Sequence, residues 1–131
     1  MYICLLSIHG LIRGNELELG RDADTGGQTK YVVDLARALA RHPDVAQVDL
    51  ITRRILDPAV GPDYGIIREP LGDDGARIIR LECGPEEYLP KEQLWDHLDA
   101  FTDNLAAWLA WQPRQPSVIL CRRGLRRRQA V

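Results

Sequence analysis

A chain of 131 residues, 45% hydrophobic and 27% charged, has the size and composition of one globular domain with a real core, and leaves no room for a second lobe of similar size. The apolar runs fall short of a membrane span and Met1 to Ile8 lacks the basic leader of a signal peptide, so the expected compartment is cytoplasmic. The net charge of −2 hides an asymmetry: Arg122, Arg123, Arg126, Arg127 and Arg128 lie in the last ten positions, the rest carries −7, and an acidic body argues against general nucleic-acid binding.

Tyr2 to Ile8 is nearly all apolar and ends at His9-Gly10, which predicts a central parallel strand. His9 then sits at the carboxyl end of that strand, where doubly wound sheets bind ligands, and either faces a ligand or ties down the loop. Leu11 to Thr25 is long, polar and charged, which predicts a functional loop whose Asp22 and Asp24 are solvated rather than a general acid and base pair.

Gly26 and Gly27 follow, and Val32, Leu35, Ala36 and Leu39 then recur at helical spacing, with Lys30, Asp34, Arg37 and Arg41 mostly on the other side. A helix N-terminus offers unpaired N–H groups and partial positive charge, so this glycine entry with Gln28 and Lys30 beside it suits a sugar hydroxyl or a phosphate. The alternative is a plain turn in which Asp24 or Thr25 caps the helix.

His42-Pro43-Asp44 stops the helix, and Val45 to Thr52 predicts a second strand ending at Arg53-Arg54. Closely spaced prolines and glycines make Leu56 to Gly75 irregular, with a short extended piece at Tyr64 to Arg68. Arg77 to Cys83 predicts a further strand, ended by Gly84-Pro85. Lys91 follows Pro90 at an expected helix start, where the dipole disfavours a cation; it serves either an anionic ligand or only the surface.

Leu94, Leu98, Phe101, Leu105, Trp108 and Leu109 mark one face of a long helix, with the tryptophans in the core. Gln112 to Pro116 breaks it, and Ser117 to Leu120 begins one more buried strand. Cys4, Cys83 and Cys121 lack metal-ligand spacing and read as free thiols, so no metal and no cofactor is expected.

Ser-Ile-His-Gly-Leu-Ile-Arg-Gly at 7–14 and Leu-Gly-Arg-Asp-Ala-Asp-Thr-Gly-Gly-Gln-Thr-Lys-Tyr-Val-Val-Asp-Leu-Ala-Arg-Ala-Leu at 19–39 closely resemble the sucrose-phosphate synthases. The resemblance continues at 48–53, 78–85 and 88–95, and covers roughly 120 residues. It implies an α/β fold, a Rossmann-like parallel sheet with flanking helices, forming part of the N-terminal lobe of a two-lobed retaining glycosyltransferase. Residues 1–120 would be that acceptor-side lobe and 121–131 a basic tail without order.

The resemblance also implies a reaction: glucose moves from a nucleotide-diphosphate glucose to fructose 6-phosphate. Gly26, Gly27 and Gln28 match the family's acceptor-contacting glycine loop, Lys91 matches a lysine facing the acceptor phosphate, and the histidine matching His9 lies in the sugar cleft. The nucleotide sugar would bind only with a donor lobe, so no catalytic residue is assigned and the chain alone is expected to be inactive. No membrane or specific nucleic acid is expected as a partner.

The pattern fails after Ile119, where the family's His-x-His-Tyr-Ala-Asp-Ala-Gly is replaced by an arginine-rich run. Codons for Tyr-Ala-Asp-Ala, read one base earlier after a C, spell Leu-Arg-Arg-Arg, the string at 125–128, which suggests a frameshift and a truncated lobe. The rival is a genuine basic arm for phosphate or nucleic acid. Two further readings are a stand-alone sugar-phosphate-binding module and a docking partner of a separate donor lobe.

Overall fold

A computed structural model describes residues 1–22 and 24–121. The arginine-rich tail, and with it the frameshift reading and the expected lack of order at 122–131, lies outside the described residues. The strands are β1 (Tyr2–Leu6), β2 (Gln47–Arg53), β3 (Arg68–Leu71), β4 (Ala76–Leu81) and β5 (Val118–Cys121), with helices α1 (Gly27–Ala40) and α2 (Leu98–Ala110). They form one sheet in the order β3-β4-β2-β1-β5.

The pairs β1–β2, β1–β5 and β2–β4 are parallel, as a Rossmann-like fold requires, but β3 pairs antiparallel with β4. The expected all-parallel sheet is therefore mixed at one edge. The turn between β3 and β4 is too short for a crossover, so it can only form a hairpin, and Gly72 and Gly75 supply its φ values of +68° and +89°. Of the extended piece expected at Tyr64 to Arg68, Tyr64 and Gly65 instead end a 3-10 turn, Pro62–Gly65, that Pro62 starts with a helical φ, while Ile66 is extended and Arg68 opens β3.

Alternation along the strands sorts the core into two layers. Ile3, Leu5, Val48, Leu50 and Ile78 meet Val32, Val33, Ala36 and Ala40 of α1 on one face. Tyr2, Cys4, Ile51 and Ile79 meet Phe101, Leu105, Trp108 and Leu109 on the other, so the two helices sandwich the sheet.

Three expectations need correcting on the α2 side. Two 3-10 turns, Lys91–Gln93 and Trp95–His97, precede α2, so the long helix starts at Leu98. The tryptophans are not uniformly core: Trp95 and Trp108 are half-buried, and Trp111, the C-cap beyond the last turn packed on the sheet, is 88% exposed. β5 is an edge strand with Val118, Ile119 and Leu120 exposed rather than buried, and it runs to Cys121, one residue past the expected boundary. Cys4 and Cys83 are buried free thiols and Cys121 an exposed one.

Two buried arginines near the carboxyl ends of the strands fasten the loops there. Arg53 donates to the carbonyls of Cys83, Pro85 and Glu87, and Arg80 to those of Ile12 and Ile66. No helix among the described residues is long and apolar enough to cross a membrane.

Candidate functional site

The loop after β1 turns at Gly10, whose φ of +81° favours glycine. A Cβ there would lie 2.5 Å from the carbonyl oxygen of Asp24 and 2.8 Å from Cγ2 of Thr29, so this glycine lets residues 24–29 close down on it. The neighbouring His9 is buried. Leu11 N–H then donates to Thr25 Oγ1 at 3.0 Å, locking the wholly buried Thr25 below the glycine turn.

Asp22 and Asp24 are half-buried and hydrogen-bonded, which corrects the solvated reading. Asp22 Oδ1 accepts from the N–H groups of Asp24 (2.8 Å) and Thr25 (3.0 Å), an Asx turn, and from the Tyr88 hydroxyl (2.9 Å). Asp24 Oδ2 accepts from Lys91 N–H at 2.7 Å, across 67 residues of chain. Asp57 completes the join: Oδ2 accepts from Tyr88 N–H at 3.1 Å and Oδ1 from Ala59 N–H at 2.9 Å. These backbone donors hold its carboxyl below the usual carboxylate range. Burial pushes the Tyr88 phenol up, so it stays a donor to Asp22.

Helix α1 opens at Gly27, with Gly26 as N-cap at φ −135° and ψ −145° and with no side-chain cap. The capping alternative fails, because Asp24 bonds to Lys91 while Thr25 bonds to Leu11 and Asp22. No acid occupies the first turn. Gly26 carbonyl accepts from the N–H groups of Thr29 and Lys30, the first intrahelical bonds, which leaves the N–H groups of Gly27 and Gln28 without a partner in the helix.

Neither of these two glycines has a positive φ, and a Cβ on either would meet nothing within 4 Å. Neither strain nor internal crowding demands glycine there. What the two positions share is a bare backbone facing open space beside uncapped amides.

Lys91 begins a three-residue turn rather than a long helix, which removes the dipole reason for its conspicuous position. Contact supplies a better one: its main chain is held to Asp24, and its ammonium makes no ion pair among the described residues. Lys30 differs, being exposed with its Nζ 2.5 Å from Asp34 one turn along α1. The fold thus joins Gly26, Gly27, Gln28 and Lys91 in one loop cluster after the carboxyl ends of the strands, puts His9 in the adjoining turn, and leaves Lys30 paired along the helix. Sequence reasoning missed Tyr88 and Asp57; the Asx turn at Asp22 had a local signal, but their contacts, 66 and 31 residues apart in sequence, had none. No group of His, Cys, Asp and Glu among the described residues could hold a metal ion.

No protein-family model matches the chain. It is 51% identical over 123 residues to the probable sucrose-phosphate synthase 5 of Oryza sativa subsp. japonica, covering 82% of this chain and 12% of that protein. It is 53% identical over 111 residues to sucrose-phosphate synthase 4 of Arabidopsis thaliana, covering 79% and 11%. The solved sucrose-phosphate synthase of Thermosynechococcus elongatus superposes with a TM-score of 0.64 at 33% identity, over 84% of this chain and 24% of that one. The chain spans about a tenth of the length of the plant relatives it matches. In sequence and in fold, it is a member of the sucrose-phosphate synthase family that corresponds to one segment of those proteins.

Proposed function

We propose that the loop cluster is the fructose 6-phosphate side of a sucrose-phosphate synthase cleft, in a cytoplasmic enzyme that moves glucose from a nucleotide-diphosphate glucose with retention. The observation that carries this reading is the bond from Lys91 N–H to Asp24 Oδ2, which sets beside the glycine turn a lysine whose ammonium makes no ion pair among the described residues. Lys91 supplies the point charge that a phosphate dianion needs. The N–H groups of Gly27 and Gln28 add donors and the positive end of α1, and the Gln28 carboxamide can serve a sugar hydroxyl. Bare glycines let the sugar ring approach the main chain.

Transfer needs donor and acceptor held together in a closed cleft, and this chain spans about a tenth of the length of its plant relatives. Calorimetry on the full chain tests the reading. Fructose 6-phosphate binds weakly, at roughly millimolar affinity, because much of its surface stays in water. Lys91→Ala and Gly27→Val both lose that binding, and adding a nucleotide glucose yields no transfer above a no-enzyme control. Unchanged affinity in both variants would place the acceptor elsewhere.

A further inference from the structure

The segment that carries Lys91 takes its shape from β2. That strand ends at Arg53, beside Leu81 at the end of β4 in the parallel ladder, so the two chains leave the sheet side by side. The chain departing from β4 curves through residues 82–87 without regular structure, and Glu82, Gly84, Pro85, Glu86 and Glu87 are exposed. An exposed arc of this kind has little of its own to fix its course.

One guanidinium fixes it from inside. Arg53, 2% exposed, donates from Nε to the Cys83 carbonyl at 2.9 Å and from Nη2 to the carbonyls of Pro85 and Glu87, the latter at 2.6 Å. Leu56 N–H takes the carbonyl between those two, that of Glu86, at 2.8 Å. His97 closes against the same arc: its carbonyl accepts from Cys83 Sγ at 3.4 Å, and its ring leaves no room for a side chain at Gly84, where a Cβ would lie 2.5 Å from Cγ.

Arg53 is a poor choice for a position that serves packing alone. It makes no ion pair among the described residues, and burial pushes its pKa below the ordinary value. A charge kept inside against that desolvation cost, with main-chain carbonyls for acceptors, stabilises a fold less than an apolar side chain of similar size would. What it supplies is geometry, because a rigid planar fork reaches carbonyls that a lysine ammonium cannot reach together.

The arc leads directly into the acceptor cluster. Tyr88 follows Glu87, with its N–H on Asp57 and its hydroxyl on Asp22, and Leu89 is buried. Pro90 then holds φ at −58° and delivers Lys91, whose N–H meets Asp24. Each residue between the fork and the lysine is thus restrained, so a displacement of the arc has nowhere to be absorbed before it reaches Lys91.

We propose that Arg53 is a positioning residue for the acceptor: its fork sets the 83–87 arc that presents Lys91 to the sugar phosphate. This inference rests on the acceptor reading of Lys91 given above.

The test compares Arg53→Lys, which keeps a buried cation without the fork, with Val48→Ala, a core truncation near the amino end of the same strand. Amide exchange of the full chain without ligand is read first. Relative to the strand amides, Lys91 N–H is expected to exchange about tenfold faster in Arg53→Lys and at an unchanged rate in Val48→Ala. NMR titration with fructose 6-phosphate is then expected to show about tenfold weaker binding in Arg53→Lys and normal binding in Val48→Ala. In the unaltered chain, the Arg53 Nε–Hε proton gains protection at saturation by up to the same factor, because coupling between ligand and fork is reciprocal. That readout needs no variant and decides the matter where Arg53→Lys does not fold. Unweakened binding in Arg53→Lys, an equal loss in both variants, or an Nε–Hε proton indifferent to saturating ligand overturns this inference alone. Fructose 6-phosphate that leaves Lys91 unmoved in the unaltered chain overturns the acceptor reading and this inference with it.

Discussion

The two ends of the sheet handle charge in opposite ways. At the amino ends, Asp49 and Arg77 face each other on the same rung of the β2–β4 ladder, so acid and base meet directly and Asp49 is fully buried. At the carboxyl ends, Asp22, Asp24 and Asp57 bind main-chain N–H groups instead of cations. Carboxylates bonded to amides bring distant loops together without neutralising the lysine among them. That difference separates a rung that holds the sheet from the cluster proposed to take an anionic ligand.

Breaking the amino-end rung has the largest expected effect. Asp49→Ala leaves the Arg77 guanidinium facing a buried, emptied site, and urea denaturation is expected to show a loss of about 3 kcal/mol, the low end for a broken buried pair because Arg77 is 24% exposed. Fructose 6-phosphate affinity of the folded fraction stays unchanged. A loss under about 1 kcal/mol would mean that packing alone holds this end.

Asp24→Ala reverses the pattern. Unfolding free energy falls by only about 1 kcal/mol, the worth of one hydrogen bond, but Lys91 loses its tether and sugar-phosphate affinity drops about tenfold by calorimetry. A variant less stable yet binding normally would detach Lys91 from the site.

Acid sharpens the comparison. The Tyr64 hydroxyl, first, and then Arg21 hold the Glu18 carboxyl below its ordinary range, and backbone donors do the same for Asp57. A carboxyl with a depressed folded-state pKa contributes stability that is complete above its unfolded value, about 4, and is lost as pH falls through the folded value. Amide exchange followed down the pH scale is expected to speed up in the 18–25 and 57–60 loops before it does in β2 and β4.

The smallest effect belongs to Lys30→Ala, which removes an exposed i,i+4 pair: under about 0.5 kcal/mol of stability and no change in binding. A tenfold loss of sugar-phosphate affinity would return Lys30 to the site.

Period and punctuation made β1, α1, β2, β4 and the existence of α2 legible, because each buries an apolar stripe that the sequence displays. They did not reveal that β3 runs antiparallel, since Arg68–Leu71 is too short and too polar to carry a pattern. The exposure of β5 was equally hidden: an apolar tetrapeptide reads alike in the middle of a sheet and at its edge. The candidate site residues were visible as a glycine pair and an oddly placed lysine, together with the family resemblance. Their connection through Asp24 was not, because a hydrogen bond spanning 67 residues leaves no local signal.

The measurement that bears most directly on this account is an NMR titration of the full chain with fructose 6-phosphate, reading the backbone amides of Gly27, Gln28 and Lys91. The three are predicted to shift together with one dissociation constant, and Asp24→Ala is predicted to uncouple Lys91 from the other two. A Lys91 amide that stays silent while Gly27 and Gln28 saturate, or all three unmoved while other residues respond, would contradict a single acceptor site built from the glycine turn and the lysine.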